Sequence, residues 1–141
     1  MKKFSFQLED VLSIRKFQQE QAEIELGIAL GEEQRISNKL QMIAMQHAQC
    51  AKSIEGSVDF KEILSAQQYF AMLEEQKNFL LEELAKAKIV TEQKRKILQE
   101  QMKKTASLQK LRDKELENYK AENILEEEKI IDDIITSRYR K

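Results

Sequence analysis

The chain has 141 residues, with 24 Lys and Arg against 25 Asp and Glu, no proline, no tryptophan and three glycines. Such a heavily charged, nearly neutral mixture belongs to long solvated helices and excludes a compact α/β enzyme. It also lacks the strong basic excess on one face that binding to nucleic acid requires.

A single cysteine allows no intramolecular disulfide and carries no secretory signature. Nothing approaches the ~18 consecutive apolar residues of a membrane span, so no direct membrane insertion is expected. The opening, Met1 to Asp10, turns acidic where a signal peptide would be apolar, which gives a cytoplasmic location as the expectation.

The first helix is expected over about residues 6–55. Ser5 suits its N-cap, and Glu9 and Asp10 sit near its positive end. From Leu8, steps of four and three visit Leu12, Arg15, Gln19, Ala22, Leu26, Ala29, Glu33, Ile36, Leu40, Ile43, His47, Cys50 and Ile54. Ten of these fourteen positions are apolar. A seven-residue repeat held this long specifies a left-handed coiled coil, with Arg15, Gln19 and Glu33 as register-setting exceptions. Phe4, Phe6, Val11, Ile14, Phe17, Ile24, Ile28 and Leu30 lie off that series, as a broad seam under a drifting second helix, as a self-association surface or as surface for a partner. Gly27 and Gly31 could permit a close backbone approach, or are simply tolerated.

The one clear break is Gly56-Ser57-Val58-Asp59, read as a turn over residues 56–59. Gly56 suits the left-handed position past a helix end, and Asp59 suits the N-cap of the next helix. Glu62 would complete a capping box with Asp59, and Val58 with Ile63 a hydrophobic staple. So short a connection favours an antiparallel hairpin.

The second helix is expected over about residues 60–138. Its series runs Ile63, Ala66, Phe70, Leu73, Lys77, Leu80, Leu84, Ala87, Thr91, Lys94, Leu98, Gln101, Thr105 and Leu108. Nine of the fourteen are apolar, and the seam softens from Thr91 onward. With the turn centred near residue 57, residue i faces roughly residue 115 − i. Leu8 then faces about residue 107, which leaves about 30 residues of the second helix without a partner. That extension carries Ile130, Ile131, Ile134 and Ile135, with Arg138, Arg140 and Lys141 at its tip. The fold class is therefore all-α: a long two-helix antiparallel coiled-coil hairpin, one domain over residues 1–141, the second helix longer than the first.

Chemistry-bearing constellations are absent from the sequence. His47 and Cys50 share one helix face, but two ligands do not make a zinc site and the chain has no other His or Cys. No Ser/His/Asp set, phosphate loop or dinucleotide fingerprint is present. No catalytic residue, cofactor or metal is expected, and an enzyme is rejected.

Two stretches carry a family resemblance. They are the opening Phe4-Ser5-Phe6-Gln7-Leu8-Glu9-Asp10-Val11-Leu12-Ser13-Ile14-Arg15-Lys16, followed by Gln18 to Ala22, and the stretch Gln67-Gln68-Tyr69-Phe70-Ala71-Met72-Leu73-Glu74 after the turn. With the length and the two-arm layout they resemble the FliJ family of flagellar type III export proteins, over essentially the whole chain. The resemblance implies a stalk similar to that of rotary ATPases. Its paired ends would engage the hexameric flagellar export ATPase. Its turn-proximal half would contact the cytoplasmic region of the export-gate membrane protein, and it would bind export chaperones. Location would be cytoplasmic and peripheral to the membrane-bound apparatus.

Candidate residues follow. Tyr69 and Leu73 match the family's gate-contact positions, with Leu80 continuing their face. On the first arm the matching face would be Gln34, Asn38, Gln41 and Met45, which is more polar than the family pattern. For the ATPase contact the open end offers Phe6, Leu8, Val11 and Ile14, with Ile130, Ile134, Ile135 and Arg138 on the extension. The competing readings are the equivalent stalk of a virulence-type injectisome and a generic coiled-coil oligomerisation scaffold. A scaffold would not need a one-sided extension ending in isoleucine pairs.

Overall fold

Gly56 takes φ +76° and so reverses the chain, a conformation that costs glycine nothing. The Ser57 amide donates to the Ile54 carbonyl at 3.0 Å, which tightens the exit from the first helix. Asp59 then starts the second. Its carboxylate accepts from the Lys61 amide at 3.0 Å, and its carbonyl accepts the first helical bond, from the Ile63 amide at 3.1 Å. Two details differ from the expected motif. Glu62 does not reach back to Asp59 but accepts from the Ser57 hydroxyl at 2.7 Å. Val58 is fully exposed, so no staple with Ile63 forms.

The computed structural model describes residues 3–139. Two helices make up the architecture, α1 (Glu9–Ser53) and α2 (Phe60–Tyr139), the second the longer, paired antiparallel. Among the described residues there is no strand. The chain divides into two compact units: a turn-proximal unit, Ala22–Leu98, and an open-end unit formed by the N-terminal segment through Gln21 with the chain from Gln99 onward.

In the turn-proximal unit the seam is the heptad series. Ala22, Ala29, Ile36, Ile43, Ala66 and Leu73 are buried, and Leu26, Leu40, Ile54, Ile63, Phe70, Leu80 and Leu84 are half-buried beside them. Lys77 and His47 are exposed exceptions, His47 laying its ring 4.4 Å from that of Phe70. Thr91 is a buried polar member of the seam and costs little, because its hydroxyl donates to the Ala87 carbonyl at 3.0 Å. Register departs from expectation. His47 meets Phe70 rather than residue 68, and Glu25 pairs with Lys94 at 3.0 Å rather than facing residue 90. The helices stop at Ser53 and restart at Phe60, so the connection is longer than the four-residue turn read from sequence. No atom lies within 4 Å of where a Cβ would stand on Gly27 or Gly31, so these glycines serve no close approach.

The open-end unit is held differently. Leu12 and Phe6 are its buried apolar residues, and the rest of its interface is polar or mixed: Arg15, Gln19, Gln101, Thr105 and Arg112 are all half-buried. Thr105 donates to the Gln101 carbonyl at 2.9 Å, with the Arg15 carbonyl at 3.4 Å across the interface. Arg112 donates to Glu9 at 2.8 Å. Helix α1 begins at Glu9, not at residue 6, and the expected Ser5 cap is absent: the first intrahelical carbonyl is that of Leu8, bonded by the Leu12 amide at 2.8 Å. The non-helical segment before it lies along α2 as a strap. Its Phe4 ring sits 5.5 Å from Tyr119 and 5.4 Å below the Arg112 guanidinium, two α2 residues seven apart on one face.

That strap corrects the length of the unpaired extension. Leu108, Arg112, Leu116, Tyr119 and Asn123 remain half-buried, so α2 is covered some fifteen residues past Leu108. Only from Ile124 to Tyr139 is every residue exposed. Arg140 and Lys141 lie outside the described residues.

Candidate functional site

Two surfaces answer to the sequence candidates, one in each unit. In the open-end unit, Leu8, Val11 and Ile14 follow one another three residues apart on the outside of α1, with Ile14 56 % exposed. Phe6 does not join them: at 6 % exposure it is a seam residue, and its burial anchors the strap. On the extension Ile130, Ile134, Ile135 and Arg138 are all exposed, as is Ile131. The two groups are separated along the helix axis. Glu9 pairs with Arg112, and Ile130 lies eighteen residues beyond Arg112, or ~27 Å at 1.5 Å per residue. They are two consecutive apolar stations rather than one patch.

In the turn-proximal unit, Tyr69 is half-buried in a shallow hollow of about 560 Å³ that it shares with Cys50, Ile54 and Ala66. Beyond it a second groove of about 620 Å³ has Ile43 and Leu80 on its floor, Met42, Met72 and Phe79 as apolar walls, and Lys39 and Glu75 at the rim. Leu80 is therefore half-exposed groove floor. Leu73, 1 % exposed, belongs to the seam and presents no surface. Tyr69, Met72, Gln76 and Phe79 form a stripe at steps of three, four and three, displaced by one residue from the seam residues Phe70, Leu73, Lys77 and Leu80. That displacement turns the stripe by about 100°, onto the flank of α2.

The first-arm quartet does not converge on this flank. Gln34, Asn38, Gln41 and Met45 each precede a seam-series residue (Ile36, Leu40, Ile43, His47) by two positions, a rotation of about 200°. They point outward from α1. All four are exposed, and Gln34 donates to Asn38 at 2.9 Å along the helix. The first-arm residues that do meet this flank are Cys50 and Ile54 beside Tyr69, and Lys39, Met42 and Gln46 beside Met72 and Phe79. Sequence reasoning missed Met42, Met72 and Phe79. The signal was present as a second apolar stripe running parallel to the seam.

Among the described residues no three His, Cys, Asp or Glu stand close enough together to hold a metal. The shifted titrations belong to an exposed pair on α1: the Arg35 guanidinium, hydrogen-bonded to Glu32, holds that carboxyl below its usual range, and Glu32 in turn raises Arg35. Among the described residues no helix is long and apolar enough to cross a membrane. What both surfaces can do is bury apolar side chains against another protein, with charge at the rim.

Comparison with known proteins gives one match. The family described as "Flagellar FliJ protein" matches residues 4–141, which takes in both units and both candidate surfaces. No curated protein and no solved structure matches the chain.

Proposed function

The chain belongs to the flagellar FliJ protein family, and from that premise we propose that this export-related protein is a non-catalytic coiled-coil stalk of the flagellar type III export apparatus. Its open end engages the hexameric export ATPase. Its turn-proximal flank contacts the cytoplasmic region of the export-gate membrane protein, and it binds export chaperones. It works in the cytoplasm, peripherally associated with the membrane-bound apparatus.

The observation that carries the reading is the bare extension. Sixteen consecutive residues of α2, Ile124–Tyr139, are exposed, with Ile130, Ile131, Ile134 and Ile135 about half exposed. A helix with that much apolar surface left uncovered among the described residues is marginal in water and gains its stability by docking. Leu8, Val11 and Ile14 supply a second station further back, which suits insertion into a ring that contacts the two levels separately. The gate contact is assigned to Tyr69 and the groove over Leu80. Gln34, Asn38, Gln41 and Met45 would have to serve a partner on the outer side of α1.

Deletion of residues 126–141 is the test. Stimulation of the purified export ATPase and assembly of its ring should fall sharply, while melting of the remaining hairpin is unchanged, because Leu12, Leu73 and the rest of the seam are untouched. Full stimulation by the truncated chain would refute the assignment of the extension to the ATPase.

A further inference from the structure

The extension has an internal order that ring docking does not explain. Glu128, Ile131, Ile135 and Arg138 recur at steps of three, four and three and so share one face of α2. All four are exposed, Ile131 at 55 % and Ile135 at 47 %. Acid stands at the start of this stripe, base at its end, and two isoleucines between them. Neither Glu128 nor Arg138 makes an ion pair among the described residues. Asp133, midway between the isoleucines, points to the opposite side of the helix, about 200° from Ile131.

We propose that residues 128–138 of α2 pair antiparallel with the same segment of a second copy of this chain. With Ile131 set opposite Ile135 of the second copy, the two-fold relation places Ile135 opposite the second Ile131. The same register brings each Glu128 opposite an Arg138. The result is a two-layer apolar centre closed at both ends by identical ion pairs, the self-complementary pattern of an isologous contact. Parallel pairing is disfavoured by the same residues, since it stacks Glu128 on Glu128 and Arg138 on Arg138. Ile134, 52 % exposed, borders the stripe and widens its apolar centre. The paired segment is only ~16 Å long, so it buries less than the roughly 1,200 Å² of a stable specific interface, and the dimer is a weak, concentration-dependent one. This pairing does not rest on the ATPase reading. It occupies the extension when no ring does, and the two uses of the stripe exclude each other.

Sedimentation velocity on the full chain tests it, from about 10 µM to about 1 mM, around a dissociation constant on the order of 10⁻⁴ M. The wild-type sedimentation coefficient should climb over that range. E128R and R138E should each weaken association about tenfold or more, because each places like charges at both ends. The double variant E128R/R138E should recover it, because exchanging the two charges restores both ion pairs in the antiparallel register alone. Circular dichroism checks that helix content is equal in all four proteins. A wild-type chain that stays monomeric throughout overturns the proposal. So do single variants that associate as the wild type does, or a double variant that stays as weak as the singles. ATPase stimulation is measured separately, so loss of the dimer with intact stimulation, or the reverse, tells which of the two readings has failed.

Discussion

Gln101 sits half-buried in the open-end unit, and its side-chain carbonyl oxygen is fully buried with no hydrogen-bond partner. A buried acceptor left without a donor costs about 1–3 kcal/mol. Gln101→Leu deletes that oxygen and puts a shorter, branched apolar group between Leu98 and Thr105 in the second-arm series. The expected gain is about 1–2 kcal/mol, taking the lower part of the range because the amide nitrogen loses its own hydration.

Thr91→Val is the matched control. Thr91 is more deeply buried than Gln101, yet its hydroxyl is satisfied by the Ala87 carbonyl, so its removal should change stability by less than about 0.5 kcal/mol. The assay is thermal and urea unfolding followed by circular dichroism, with amide hydrogen exchange resolved along the chain. In Gln101→Leu, protection should rise in residues 9–21 and 99–123 and stay constant around Leu73. If Gln101→Leu were neutral or destabilising while Thr91→Val stabilised, the inference that polar satisfaction limits this part of the seam would be wrong.

Three shorter predictions accompany it. Gly56→Val forces a β-branched residue to φ +76° and should cost about 1 kcal/mol or more, read as a lower melting temperature. Tyr69→Ala with Phe79→Ala should weaken capture of the export-gate cytoplasmic region at least tenfold, about 1.4 kcal/mol, and leave melting nearly unchanged, since neither residue is a buried seam residue; retained capture would remove the flank from the gate site. Arg35→Ala should bring the Glu32 carboxyl up toward its ordinary range in an NMR titration. Because the native carboxyl is depressed, its small contribution to stability is present above the unfolded value and fades as pH falls through the native one.

Much of the seam could be read from residue spacing. Of the second-arm series only Lys77 is exposed, and the softening from Thr91 outward reappears as the polar open-end interface. The heptad reports rotation about a helix axis, and that information is local. Pairing offset is not local: the partners of His47, Glu25 and Glu9 lie two, four and six residues beyond those that reflection about residue 57 gives, a drift that grows with distance from the turn. The strap was hidden for a different reason. Phe4 and Phe6 were counted as surplus helical apolar residues, whereas the chain leaves the helix before Glu9 and lays both against α2. Candidate contacts inherited these errors. Phe6 and Leu73 lie within the seam, and the quartet from Gln34 to Met45 is turned away from Tyr69.

Those placements decide which substitutions can report on binding. Leu73→Ala removes a side chain that is 1 % exposed, and such truncations cost about 2–5 kcal/mol. Lost capture of a partner by that variant would report a damaged hairpin before it reported a lost contact. Phe6→Ala has the same defect in the open-end unit, because Phe6 is buried and anchors the strap whose Phe4 lies against Tyr119. Surface side chains carry the discrimination instead: Ile14 and Ile131 for the open end, Met72 and Phe79 for the flank, each exposed enough that its removal leaves the seam intact. The strap lies alongside the start of the extension. Its described residues begin at Lys3, beside Glu126 and Lys129, and α2 runs on for ten residues from Lys129 to Tyr139. Among the described residues the isoleucines in that stretch stay about half exposed, so truncating them reports on contacts between molecules without disturbing the seam.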